Sequence, residues 1–272
     1  MEQKKKKDKN VNFYTVEKMK KYLNKVDDKI IKEQTGIGLY QHILMCGATN
    51  SGKSNTLMNF IFRTSQGRGT YHHIFLVVKK MEPFNHFLKD ELKNGITIIT
   101  DLKDIPRVSD FQDLSDKNNK SYLMIFDDCV NDKGKIASTF EDYFTYGRAK
   151  GVQCIFLSQS YFQTNIYIRK QCSWIILCGI RSNKDLTRIL SEHEFANVSS
   201  EEMIKIYEYC KEPEDDDPNA INFMKICTFH CPKDKKISKN WLEYIDPKDF
   251  KLDKKAKAKT KNESDSETDD EK

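Results

Sequence analysis

Gly47-Ala48-Thr49-Asn50-Ser51-Gly52-Lys53-Ser54 is the stretch that decides how this chain folds. It matches the phosphate-cradling pattern GxxxxGK[ST] at every fixed position. Just before it, His42-Ile43-Leu44-Met45-Cys46 is a short, mostly apolar run that predicts a buried strand. Just after it, Leu57, Met58, Ile61 and Phe62 recur at helical spacing. Strand, glycine loop and helix are the setting this motif needs. The loop's backbone N–H groups then converge on phosphates, and the helix adds the positive end of its dipole. Gly52 leaves room for close backbone approach. Lys53 is expected to reach the β- and γ-phosphates, and Ser54 to ligate Mg²⁺. The expected nucleotide-binding set is Gly47, Ala48, Thr49, Asn50, Ser51, Gly52, Lys53, Ser54 and Asn55.

Outward from the loop, apolar runs at 74–78, 96–100, 122–126, 152–159 and 174–178 predict further strands. Segments 82–93, 140–146, 185–195 and 200–210 read as helices between them, and 16–31 as an amphipathic helix ahead of the loop. Residues 101–120 are polar, a loop with a short helix, and 212–218 form an acidic loop. A late strand is expected within 221–229, with 241–250 as a closing segment. Strands alternating with helices imply an α/β fold whose parallel sheet is covered on both faces.

A phosphate cradle alone hydrolyses nothing. Tyr122-Leu123-Met124-Ile125-Phe126 runs into Asp127-Asp128, which places two carboxylates at the C-terminal edge of a strand, where open α/β sheets bind ligands. Asp127 is the candidate for the Mg²⁺ side, acting through water as Walker-B acids do. Asp128 is the candidate for activating or orienting the attacking water. Gln159 closes another apolar run, and its amide can bond both a water and a γ-phosphate.

Composition limits the remaining choices. With 272 residues the chain can hold one large domain or one domain with appendages, and its net charge of +5 is too small to establish nucleic-acid binding. Residues 1–10 form a basic arm, and 251–272 run first Lys-rich and then acidic. Both are expected to be disordered, leaving 11–250 as the folded body. Ser264, Ser266 and Thr268 among the acids resemble acidic-directed kinase sites. The charged start and the lack of any apolar run near ~18–20 residues predict no signal peptide, no transmembrane segment and an intracellular protein. Eight cysteines are expected to stay reduced, with Cys46, Cys129, Cys154, Cys172 and Cys178 acting as small hydrophobes. Cys227, His230 and Cys231, with Cys210 upstream, offer a zinc set but lack the paired CxxC spacing.

Gly47 to Ser54, Ile125-Phe126-Asp127-Asp128, Gly147-Arg148 and Phe156-Leu157-Ser158-Gln159-Ser160-Tyr161-Phe162 follow one another as in a known family. The order and approximate spacing resemble the virion DNA-packaging ATPases of poxviruses and other large cytoplasmic DNA viruses, within the FtsK–HerA group. Ile168-Arg169-Lys170-Gln171-Cys172-Ser173-Trp174, Asp185-Leu186 and Asn222-Phe223-Met224 also look like that family, so the resemblance covers roughly 41–228. It implies a three-layer P-loop NTPase of RecA/FtsK-like type with a mainly parallel central sheet. The Gln159 strand would insert between the P-loop and Walker-B strands, bringing Lys53, Asp127, Asp128 and Gln159 around one γ-phosphate. It implies ATP and Mg²⁺ as cofactors and a homo-oligomeric ring, with a hexamer favoured. Such a ring pumps double-stranded DNA, without sequence preference, into a preformed capsid. Capsid or membrane portal proteins would be partners, at viral assembly sites in the host cytoplasm or in the virion. A neighbour's arginine commonly completes such sites and can be worth about 10³–10⁵ in rate. Arg148 and Arg169 are the candidates, Arg148 preferred for its place in the Gly-Arg element. Asp128 stands where many members carry Glu, and Ala149 where the viral pattern often has His.

Two other classes of function share the glycine loop. A nucleoside or nucleotide kinase would need a lid carrying clustered arginines, which the sequence does not present. An assembly factor using nucleotide only as a structural ligand would have no need of Asp128 and Gln159.

Overall fold

A strand that is buried at every position needs a cover on each face. Val152–Ser158 is such a strand, buried along its whole length, and it lies inside the sheet rather than at an edge. The structure is a computed structural model. It describes residues 27–66, 69–112, 120–129, 135–193, 198–213, 220–229, 231–232 and 235–250. Among these, nine strands form one sheet. They are β1 (Ile43–Gly47), β2 (His73–Val77), β3 (Ile96–Ile99), β4 (Tyr122–Asp127), β5 (Val152–Ser158), β6 (Trp174–Gly179), β7 (Met224–Cys227), β8 (Ile237–Lys239) and β9 (Glu243–Tyr244). Their order is β3-β2-β4-β5-β1-β6-β7-β8-β9. Pairings from β3 through β6 are parallel, whereas β7, β8 and β9 add an antiparallel edge. The mainly parallel sheet expected from the alternating pattern is present, with β5 between β1 and β4 as the family resemblance implied.

Side chains alternate across a strand, so each strand feeds two cores. Ile43 and Met45 of β1 enter one, and Leu44 and Cys46 enter the other. The first core is closed by α1 (Lys29–Thr35), α2 (Lys53–Thr64) and α3 (Pro83–Leu92), which insert Ile31, Leu57, Phe60, Ile61 and Leu88. The second is closed by α4 (Lys135–Tyr146), α5 (Ile166–Gln171), α6 (Asn183–Glu192) and α7 (Ser200–Lys211). Phe140, Tyr143 and Phe144 of α4 meet Phe126 and Phe156 of the sheet, with ring centroids 4.8 Å apart for Phe126 and Phe140. Helix, sheet and helix make three layers.

Two buried polar residues tie the layers together. Gln153 is fully buried, yet its Oε1 accepts from Tyr40 N and Tyr71 Oη, and its Nε2 donates to Gln41 O at 2.7 Å. Lys225 of β7 is also fully buried. It donates to Thr35 O at 2.6 Å and to Trp241 O, with its ammonium over the Trp174 and Tyr244 rings. One amine thus links α1, β7 and the turn after β8, and burial pulls its pKa down to about 7.

Some expectations change. A helix spans Lys29–Thr35 ahead of the glycine loop, while most of the expected helix 16–31 falls within residues 1–26, which lie outside the described residues. The closing segment contains β9, and β8 precedes it; both are short strands, β8 pairing with β7 and β9 with β8. Helix α5 was not anticipated. Its six residues are too few to carry a period, and it starts where the Asn165 side chain accepts from Tyr167 N at 2.8 Å. The expectation of unpaired thiols is corrected at one place: Cys227 and Cys231 are disulfide-bonded, and such a pair supplies no thiolate to zinc. The other six cysteines are buried and form no disulfide. The tail 251–272, most of the acidic loop (214–219) and His230 also lie outside the described residues. Among the described residues, no helix is long and apolar enough to cross a membrane.

Candidate functional site

β1 ends at Gly47 and α2 begins at Lys53, so the glycine loop is the turn between a buried strand and a helix N-terminus. Gly52 occupies the N-cap with φ +91°, a conformation that L side chains rarely adopt. No side chain caps this helix, and its first turn carries no acid. Thr56 N is the first donor to bond back, to Gly52 O at 2.8 Å. The N–H groups of Lys53, Ser54 and Asn55 therefore have no acceptor within the helix. Free donors at the positive end of a helix dipole make an anion site. Ala48 N donates to Gly179 O, which docks the loop on the end of β6. Lys53 Nζ folds over the loop, donating to Gly47 O at 2.6 Å and Ala48 O at 3.0 Å.

Because β1, β5 and β4 are parallel neighbours, their C-terminal ends share one edge of the sheet. Asp127 is the last residue of β4, Asp128 follows it, and Gln159 follows β5. Gln159 stands between the loop and the acids. Its Oε1 accepts from Thr49 Oγ1 at 3.2 Å, and its Nε2 donates to Asp128 Oδ2 at 3.2 Å. Asp128 adopts φ +54°, an uncommon backbone for a non-glycine residue, and Asp is among those that tolerate it. Burial, then the Asp128 charge, pushes the Asp127 carboxyl up to about 6; Lys53 opposes the rise and Glu82 adds to it. Asp127 is half-buried beside exposed Asp128, and Ser54 is exposed in the first turn of α2; carboxylate and hydroxyl oxygens are the hard ligands that Mg²⁺ uses. Ser54 and Asp127 are the residues that could hold such an ion.

The family described as poxvirus A32 protein matches residues 37–221, more than half of the chain. The chain belongs to the poxvirus A32 protein family. No curated protein sequence matches it. Among solved structures it is similar to the genome packaging NTPase B204 from Sulfolobus turreted icosahedral virus 2. The form in complex with sulfate gives a TM-score of 0.51 at 14% identity, covering 75% of this chain and 97% of that one. The form in complex with ATP-gammaS gives 0.50 at 15% identity, covering 75% and 98%. At these identities the likeness concerns the fold, which is that of a P-loop NTPase.

Within this family member, Lys53, Asp127, Asp128 and Gln159 converge, and the two candidate arginines do not join them. Arg148 lies exposed in the turn Gly147–Lys150, ahead of β5. Burial, then the nearby Arg148 charge, pushes His42 down to about 4. His42 precedes β1 and the glycine loop follows it, so a strand of about 15 Å separates Arg148 from its own cradle. Arg169 is bound within its own chain. It donates to Glu192 Oε2 at 2.7 Å and Oε1 at 3.0 Å, and lies over the rings of Tyr161 and Phe162. Tyr161 Oη also donates to Glu192 at 2.9 Å. This cluster ties the segment after Gln159 to α5 and α6.

Two residues at the site escaped the reading of the sequence. Arg181 Nη2 reaches Thr49 O at 3.5 Å, from the turn just after β6. Its signal was the rule already used for Asp127 and Gln159, a polar side chain just past a buried strand. Glu82, the N-cap residue of α3, stands close enough to Asp127 to raise its pKa. No local motif marks it.

Proposed function

We propose that this chain is an ATP-hydrolysing translocase that drives double-stranded DNA during viral genome packaging. One observation carries the hydrolytic part. Gln159, on the strand between the P-loop and Walker-B strands, bridges Thr49 of the cradle to Asp128. Loop and acid pair are thereby held on opposite sides of one amide, where a terminal phosphoryl group and a water would meet. Membership in the poxvirus A32 family and the likeness to a genome packaging NTPase fold support the packaging part.

In the proposed reaction the free N–H groups of α2 and Lys53 hold the phosphates, and Asp128 and Gln159 orient water in line with the γ-phosphorus. The new P–O bond forms as the bond to the ADP oxygen breaks, and the water's proton passes toward Asp128. Mg²⁺, held from Ser54 and Asp127, would supply charge neutralisation at the phosphates. Arg148 would act on a neighbouring subunit's site in a ring, a hexamer being favoured. Grip on DNA would be through phosphates, salt-sensitive and indifferent to sequence. Capsid or portal proteins and viral assembly sites in the host cytoplasm complete the proposal. The test is the ATPase rate with and without long duplex DNA. Stimulation supports the reading; a protein that binds ATP but ignores DNA in this assay contradicts the motor.

A further inference from the structure

Beside the phosphate cradle runs a cleft of about 360 Å³, within the range of roughly 300–1,000 Å³ common to small-molecule sites. Asn55, Asn59 and Arg63 of α2 form one side. They are spaced four apart, so they share a single flank of the helix. Asn55 directly follows Ser54, so the cleft begins where the cradle ends. The opposite side is built by Ile221 and Trp241. Ile221 abuts the loop itself: a Cβ on Gly52 would fall 2.1 Å from its Cγ2. Ile221 is nevertheless 40% exposed, an apolar face presented to the opening.

The wall behind is packed and hydrogen-bonded. Phe223 and Trp241 are buried with ring centroids 4.8 Å apart. Asn240 donates to Asn222 Oδ1 at 2.8 Å and accepts from Phe223 N at 3.2 Å. On the helical side, Asn59 Nδ2 donates to Asn55 O at 3.0 Å, which aligns its amide along the flank. Arg63 Nε is buried with no hydrogen-bond partner among the described residues. The cleft thus offers an apolar face at Ile221 and polar amides across from it, next to the last free N–H of a phosphate site.

We propose that this cleft receives the nucleoside of the triphosphate, with Ile221 covering the base and Asn59 bonding its polar edge. The proposal rests on the nucleotide reading above and deepens it. A nucleoside leaves the chain of phosphates at its α end. The order γ, β, α along Lys53, Ser54 and Asn55 delivers it to this flank of α2 and away from Asp128 and Gln159.

The test compares ATP with inorganic tripolyphosphate, each with Mg²⁺, by calorimetric titration of the full chain. The parent protein is expected to prefer ATP by about tenfold or more. Ile221→Ser and Asn59→Ala are each expected to lose most of that preference while tripolyphosphate affinity stays within about twofold. A parent that binds both ligands equally would overturn the proposal and leave the phosphate cradle intact. So would variants that weaken both ligands in the same proportion, since they would be acting through the loop. A parent that binds neither ligand would overturn the nucleotide reading itself, and this inference with it.

Discussion

Gln159 Nε2 sits 3.2 Å from Asp128 Oδ2, so side chains from the ends of two neighbouring strands meet over the edge of the sheet. The same amide accepts from Thr49, and the contact therefore spans from acid to glycine loop. A γ-phosphoryl group entering the cradle would meet both partners of Gln159. Binding and turnover become separable properties of different side chains.

Asp128→Asn is expected to keep nucleotide binding and to lose about 10²–10⁴-fold in kcat, the usual value of a general base. Lys53→Ala is expected to lose binding itself. Single-turnover hydrolysis paired with equilibrium binding separates the two. Parent-like turnover in Asp128→Asn would remove Asp128 from its role.

Gln159→Ala should lower kcat by about tenfold or more with little change in nucleotide affinity, because its bonds bridge groups rather than hold phosphate. Gln159→Glu should be at least as impaired, since it sets a third carboxylate beside Asp127 and Asp128. A rise in KM with kcat unchanged would show that Gln159 only binds ground-state nucleotide.

Arg148 lies at the far end of β5 from its own cradle. If it acts in trans, Arg148→Ala chains and Lys53→Ala chains, each nearly inactive alone, will regain part of the ATPase rate when co-assembled. One subunit then supplies the arginine and the other the intact loop. Mixtures no more active than their components would leave Arg148 without a catalytic part.

Lys225 provides a stability test. Its amine holds a proton more weakly in the fold, near pH 7, than in the unfolded chain, near 10.5. Between these values the unfolded state carries the extra proton, so stability rises with pH. The slope approaches about 1.4 kcal/mol per unit in the middle of that window. Denaturant titrations from pH 6 to 10 should show this rise in the parent and its disappearance in Lys225→Met. An unchanged slope in the variant would assign the effect to another group.

Phe156→Ala should cost about 3–5 kcal/mol, as expected for emptying a fully packed aromatic site. Phe156 is 1% exposed and meets the rings of Phe126, Phe140 and Phe144. Urea denaturation measures the loss; a change under about 1 kcal/mol would mean that the α4 layer is not packed as described.

The strands of the parallel sheet were legible because each is a mostly apolar run of strand length, which a doubly covered sheet accommodates. Their strand-end polar residues, Asp127, Asp128 and Gln159, were legible for the same reason. Arg181 obeys that rule too and was passed over because no motif surrounds it. β8 and β9 were missed because two or three residues hold no period, and β8 depends on β7 for its pairing and β9 on β8. The chain offered both Arg148 and Arg169, and only the Gly-Arg element favoured Arg148. Glu192, 23 residues from Arg169, fixes the difference by binding that guanidinium.

What the chain determined by itself is local: a glycine turn ahead of a helix, apolar runs of strand length, and polar residues where those runs stop. Such features depend on neighbours a few positions away, and short-range sterics and periodicity are enough to read them. Tertiary structure decided the strand order that seats Gln159 between Thr49 and Asp128, and the cleft closed by Ile221 against α2. It also placed Arg148 at the opposite edge from its own loop. Those outcomes depend on which buried faces pack together over separations of a hundred residues or more, and that choice belongs to the whole core.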